Sequence, residues 1–183
     1  MNSIKEGFKW HCHTTLYKYN NENDLKTNKP LEIMEIENNM LLTKGAELLW
    51  KLLNGQMDNE TVFGFTRANS YLGVGTSSTA ESAEQTSLIG AQSGNVAYAP
   101  MDTSTADSYP LIQNNKITFR AEFGGNVANF AWNEFGVLNG DPSNPGTRDP
   151  ETIVLLNRKV PASSLGTKIE GSVWVMVVSL TIN

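Results

Sequence analysis

Ser172-Val-Trp-Val-Met-Val-Val-Ser-Leu-Thr-Ile182 decides the fold. Trp174, Met176, Val178, Leu180 and Ile182 fall on one side of an extended chain, and Val173, Val175 and Val177 fall on the other. Alternation at a period of two marks a strand. Apolar character on both faces marks one that lies centrally and is covered twice, or that contacts another subunit. Each such side chain contributes roughly 1.5–3 kcal/mol when buried. Upstream, Lys116-Ile-Thr-Phe-Arg-Ala-Glu-Phe123 alternates in the same way. Between the two lies Asn129-Phe-Ala-Trp-Asn-Glu-Phe-Gly-Val137, dense in aromatics and holding one carboxylate. These segments predict a mainly β protein, an antiparallel β-sandwich of jelly-roll or immunoglobulin-like type.

Further strands are predicted over residues 128–138 and 152–160, with turns at Gly124-Gly-Asn126 and at 161–166. Asn139 to Pro150 is a surface excursion rich in breakers. Ser70-Tyr-Leu-Gly-Val-Gly75 reads as a strand whose glycines allow backbone crowding. Its Gly-x-Gly lacks the third glycine of a dinucleotide site and the lysine of a P-loop. Residues 77–87 are small and polar, and predict a long loop or one or two helical turns. A single short amphipathic helix is expected near the N-terminus. Thr43 serves as its N-cap, Ala46, Leu49, Trp50 and Leu53 form its apolar stripe, and Asn54-Gly55 ends it. Such a helix is expected to plug an open end of the β-structure.

Leu31-Glu-Ile-Met-Glu-Ile-Glu37 reads as a first strand. Residues 1–30 show no sustained period, end at Lys29-Pro30, and carry a net charge of +2 against −7 for the rest of the chain. The organisation predicted is therefore an arm and first strand over 1–36, followed by a single β-sandwich domain over 37–183. Phe8, Trp10, Tyr17 and Tyr19 are many aromatics for a solvated tail. They are the expected partner-binding anchors of an arm that orders on a neighbouring subunit.

The chain has 183 residues, a net charge of −5 and one cysteine, Cys12. That length buries a sizeable core without crosslinks, and one cysteine forms no intrachain disulfide. The acidic balance argues against nucleic-acid binding. No apolar run reaches the roughly 20 residues of a membrane span, and the N-terminus lacks a signal pattern, so synthesis in the cytoplasm is expected.

Few residues carry chemistry. His11-Cys12-His13 holds three metal-ligating types, but an extended chain alternates them, and no other histidine or cysteine completes a site. Asp141, Asn144, Asp149 and Glu151 lack the ligand spacing of a calcium loop. Glu134 stands in an aromatic strand, where a carboxylate must be paired or hydrogen-bonded. Arg158 is the expected partner of a structural ion pair, with Arg120 second. The alternative, a catalytic acid, would need a second carboxylate, and only Asp141, Asp149 and Glu151 offer one. No catalytic residue, cofactor or metal is expected, and the chain reads as a non-enzyme.

Tyr71-Leu-Gly-Val-Gly-Thr76, Ala80-Glu-Ser-Ala-Glu-Gln-Thr-Ser-Leu88, Ile117-Thr-Phe-Arg-Ala-Glu-Phe-Gly124, Ala128-Asn-Phe-Ala-Trp-Asn-Glu-Phe-Gly-Val137 and Leu156-Asn-Arg-Lys-Val160 with Gly166-Thr-Lys168 form an ordered series. The series resembles a family of small tailed-bacteriophage virion structural proteins over about residues 38–183. The resemblance implies a β-rich subunit displayed in many copies on a capsid or tail, made in the host cytoplasm and located in the virion. Its partners would be the major capsid protein or other virion proteins, with no nucleic acid or membrane. Capsid decoration is the leading expectation. A tail, collar or fibre-associated subunit is the alternative, and a carbohydrate-binding adhesion module is a third.

Overall fold

The computed structural model describes residues 10–57, 63–93, 95–103, 105, 107–140 and 153–182. Phe8 and the loop residues Asp141, Asn144, Asp149 and Glu151 lie outside them. In chain order the elements are β1 (Trp10–Tyr19), α1 (Glu22–Lys26), β2 (Glu32–Glu37), β3 (Met40–Leu41), α2 (Thr43–Leu53) and β4 (Ser70–Gly75). A 3-10 turn at Ile89–Ser93 precedes β5 (Val96–Pro100), β6 (Leu111–Gln113), β7 (Lys116–Phe123), β8 (Ala131–Trp132) and β9 (Glu134–Asn139). The last elements are β10 (Val154–Leu155), β11 (Asn157–Arg158), β12 (Gly166–Thr167) and β13 (Val173–Ile182).

Two larger sheets, both antiparallel, organise these elements. One has five strands in the order β2-β1-β13-β7-β6, and the other has four in the order β10-β9-β4-β5. Two short ladders, β11 with β3 and β12 with β8, complete the pairing. A single hydrophobic cluster draws on both larger sheets. Leu16, Phe119, Phe123, Met176 and Val178 enter it from the five-stranded sheet, and Leu72, Val74, Phe135 and Val137 from the other. Trp132 is fully buried within it. Its ring sits edge-on to Phe123 and to Trp174, with centroids 4.7 Å apart in both pairs. Its indole nitrogen donates to the Ala128 carbonyl at 2.9 Å, so the polar end of the ring is satisfied.

β13 is the middle strand of its sheet. Its inner face enters the shared core, while Val173 and Val175 on the outer face are buried with Tyr19, against Tyr17 and Leu25. Both apolar faces read in the sequence are therefore covered within the chain as far as Leu180, while Ile182 at the strand end is exposed.

Residues 10–19 are not an arm. They form the ten-residue strand β1, paired from Trp10 with Ile182 through Tyr19 with Val173, and on its other side with β2. The alternation is hidden because polar side chains take inward positions. Thr14 is buried, and so is Lys18, whose ammonium lies 4.8 Å from the Trp174 ring centre and 2.7 Å from Glu32 Oε2. The polar run after β1 is also structural. The Asn21 side chain accepts from the backbone N–H of Asn23 at 2.9 Å and of Asp24 at 3.0 Å, capping the short helix α1 inside the β1–β2 connection.

Helix α2 occupies the expected residues, and Leu49 of the expected stripe packs against the core, but the helix is turned towards its glycine side. Gly45 and Leu48 are its buried residues, whereas Trp50 and Leu53 are 71% and 78% exposed. The cause is Gly45. A Cβ there would overlap the Leu156 carbonyl, so the helix packs backbone to backbone along its glycine side. Leu42, fully buried, is the N-cap and makes no side-chain cap bond. Thr43 is the first helical residue, and its hydroxyl donates to Glu84 at 2.9 Å.

Candidate functional site

Glu134 is the first residue of β9 and lies directly across the ladder from Gly75 of β4. Its carboxylate fills the space that a side chain at position 75 would take, since a Cβ on Gly75 would overlap Glu134 Oε1. Three donors converge on it. Oε1 accepts from the Gly90 N–H at 2.6 Å, and Oε2 accepts from the Ile89 N–H at 3.1 Å and from Arg158 Nε at 2.7 Å. Both side chains of the ion pair are completely buried.

Arg158 extends the arrangement outward. Nη1 donates to Gln85 Oε1 at 2.9 Å and to the Ala80 carbonyl at 3.4 Å, and Nη2 donates to the Thr79 carbonyl at 3.0 Å. Glu81 accepts from the Val160 N–H at 2.7 Å. Residues 77–88 form no strand or helix. They are held to Arg158 of β11 and to Val160 just after it by these bonds, with a planar guanidinium spreading its donors over three acceptors of one loop. All three of these donors to Glu134 belong to the protein, and neither of its oxygens faces solvent. The geometry suits fastening, not proton transfer to a bound molecule.

Arg120, the second candidate partner, pairs instead with Asp102, whose backbone N–H donates to the Arg120 carbonyl at 2.8 Å. This second ion pair ties the segment after β5 to β7.

The His11-Cys12-His13 trio splits across the sheet. Cys12 points into the core, where burial pushes its thiol up to about 11. His11 and His13 lie on the outer face, and the His13 ring nitrogens are each 2.7 Å from a carboxylate oxygen, of Glu35 and of Glu37. Among the described residues no group of three or more histidine, cysteine, aspartate or glutamate side chains is disposed to hold a metal ion.

The sequence-read aromatics are dispersed. Tyr19 is 4% exposed, and its hydroxyl donates to Asn28 at 3.2 Å, so it is buried within the chain. Tyr17 packs half-buried beside it, and Trp10 is half-buried against the central core. Tyr19 therefore cannot be a docking anchor, a correction that follows from β1 being a sheet strand. Exposed apolar groups lie elsewhere, among them Leu31, Ile112 and Ile169 and a pair on the outer side of α2. There Trp50 stands in a shallow depression with Thr43, Ala46, Glu47, Lys51 and Asn54, and Leu53 lies one turn on.

Lys168 was not singled out by its chemistry in the sequence. It is buried, and Nζ donates to the Gly124 carbonyl at 2.7 Å and to Asn129 Oδ1 at 3.0 Å. Burial holds its ammonium down to about 8. Because its acceptors are neutral, no complementary charge in the sequence could have pointed to it.

No protein-family model, curated protein or solved structure matches the chain.

Proposed function

We propose that the chain is a non-enzymatic structural subunit of a tailed-bacteriophage particle, present in many copies and decorating the capsid. One observation carries the reading. Four of the five sequence segments behind the family resemblance supply the groups of the buried Glu134–Arg158 fastening or its immediate neighbours. Gly75 comes from the first, Ala80, Glu81 and Gln85 from the second, Glu134 from the fourth, and Arg158 and Val160 from the last. The resemblance thus rests on framework residues, as expected of a subunit selected for holding shape.

In the same reading the two larger sheets are the layers of an antiparallel β-sandwich, jelly-roll or immunoglobulin-like, supported by the cluster they share. The protein is made in the host cytoplasm and ends in the virion, with the major capsid protein as its partner. The outer face of α2 takes over the anchoring role expected of the N-terminal aromatics. Trp50 and Leu53 are large apolar side chains with a charged rim formed by Lys44, Glu47 and Lys51. A tail, collar or fibre position is the alternative within the virion class. Carbohydrate binding for adhesion is the alternative outside it, with Trp50 as its one well-exposed aromatic among the described residues.

Rebinding of the recombinant protein to purified particles, and to heads prepared without tails, tests the proposal. Saturable binding to tailless heads is expected. Binding only to particles with tails would move the subunit to the tail, and binding to neither would overturn the virion reading.

A further inference from the structure

We propose that the free edge of β2 is a docking edge for an extended segment of another protein, taken up as an added strand that carries two cations and one apolar residue at alternate positions. β2 ends the five-stranded sheet, and among the described residues only β1 pairs with it. The Asn38 N–H donates to the Cys12 carbonyl at 2.7 Å, in line with the register that sets His13 against Glu37. Antiparallel pairing alternates. Ile36, Met34 and Glu32 therefore turn their backbone groups to β1, and Glu37, Glu35 and Ile33 turn theirs outward. Such an edge is a template for a further strand.

The side chains along the edge define the occupant. Ile33, Glu35 and Glu37 share the outer face of the sheet, and each is more than half exposed. His13 sits between the carboxylates, with Nε2 2.7 Å from Glu35 Oε2 and Nδ1 2.7 Å from Glu37 Oε1. The Thr15 hydroxyl donates to the same Glu35 oxygen at 2.8 Å and lies 3.5 Å from His13 Nε2. Among the described residues neither glutamate has a lysine or arginine partner, whereas Glu32 is paired with Lys18.

Alternate residues of a strand stand about 6.8 Å apart, and a strand laid beside β2 has the same spacing. An antiparallel partner that reads cation, any residue, cation, any residue, apolar residue sets its cations opposite Glu37 and Glu35 and its apolar side chain opposite Ile33. Leu31, also exposed, extends the apolar end. A second β2 fits poorly, because pairing centred on Glu35 opposes carboxylate to carboxylate. β2 has no proline and no bulge in its ladder with β1, the devices that close other edges.

NMR titration of the full chain with a disulfide-cyclised hairpin peptide presenting Lys-Thr-Lys-Thr-Val on its free strand tests the proposal. Shifts are expected at the amides of Ile33, Glu35 and Glu37, with none at β6, the opposite edge of the sheet. N-methylation of the two lysines and the valine removes the N–H groups that would face β2, and should abolish the shifts. Glu35→Gln with Glu37→Gln should weaken binding about two- to thirty-fold, and β13 amide protection reports that this variant is folded. No shift in β2, shifts that survive N-methylation, or undiminished affinity of the charge variant would overturn the proposal. So would concentration-dependent β2 shifts without peptide, which mark pairing with a second copy.

Discussion

Arg158 Nε and Glu134 Oε2 lie 2.7 Å apart at a place where neither side chain has any solvent exposure. The pair is completed by backbone N–H groups on one side and loop carbonyls on the other, so removing either member strands the other in the interior. Glu134→Ala is expected to cost about 3–5 kcal/mol in chemical denaturation. Glu134→Ala combined with Arg158→Met should cost less than the sum of the two single changes, because the second removes the stranded charge. Additive losses would mean that the two groups act independently.

Helix α2 separates a packing side from an exposed side that the proposed function makes the contact face. Gly45→Ala should destabilise the fold by roughly 1–3 kcal/mol, because the new methyl meets the Leu156 carbonyl. Trp50→Ala with Leu53→Ala should leave the melting temperature within a few degrees of wild type while weakening particle binding at least ten-fold. A large fall in melting temperature for the exposed pair would show that this face packs within the chain.

Cys12 makes alkaline stability depend on a thiol. Burial raises its folded value to about 11 from an ordinary 9.0. The unfolded chain therefore loses this proton first, and the stabilisation is complete below pH 9 and lost as pH rises through 11. Against Cys12→Ala, wild-type unfolding free energy should fall by on the order of 2 kcal/mol across that window. Parallel pH profiles for the two proteins would contradict the buried thiol.

Lys168 has the opposite sign. Its ammonium is held down to about 8 from 10.5, so the unfolded chain keeps the proton longer and stability rises with pH between those values. Relative to Lys168→Met, wild type should gain stability from pH 7.5 to pH 10. A flat difference would mean that the ammonium is solvated.

What the sequence disclosed follows from the physics of each element. β7 alternates cleanly because its inward residues are apolar, and β13 stands out because both its faces are. β2 was legible although Glu32 takes an inward position beside Lys18 and Ile33 an outward one, as was β4 although its glycines interrupt the pattern. β1 was hidden because Lys18 and Thr14 take buried positions, and a period-two rule assigns such residues to solvent. The face of α2 was misread because its closest packing is made by a glycine, which carries no hydrophobic signal. In the fastening, Glu134 and Arg158 could be named because a carboxylate in an aromatic strand demands a cation. The Ile89 and Gly90 amides could not, since every non-proline residue has an N–H and only the chain path says which ones converge. The residues 77–88 that receive the guanidinium read as a polar loop, because their acceptors are mostly backbone carbonyls.

Quantitative mass spectrometry of purified phage particles, giving copies of this chain relative to the major capsid protein, tests the central claim most directly. Capsid decoration predicts abundance close to that of the shell protein or a simple fraction of it. A few copies up to several dozen would contradict decoration in favour of a tail or collar position, and absence from the particle would contradict the virion account.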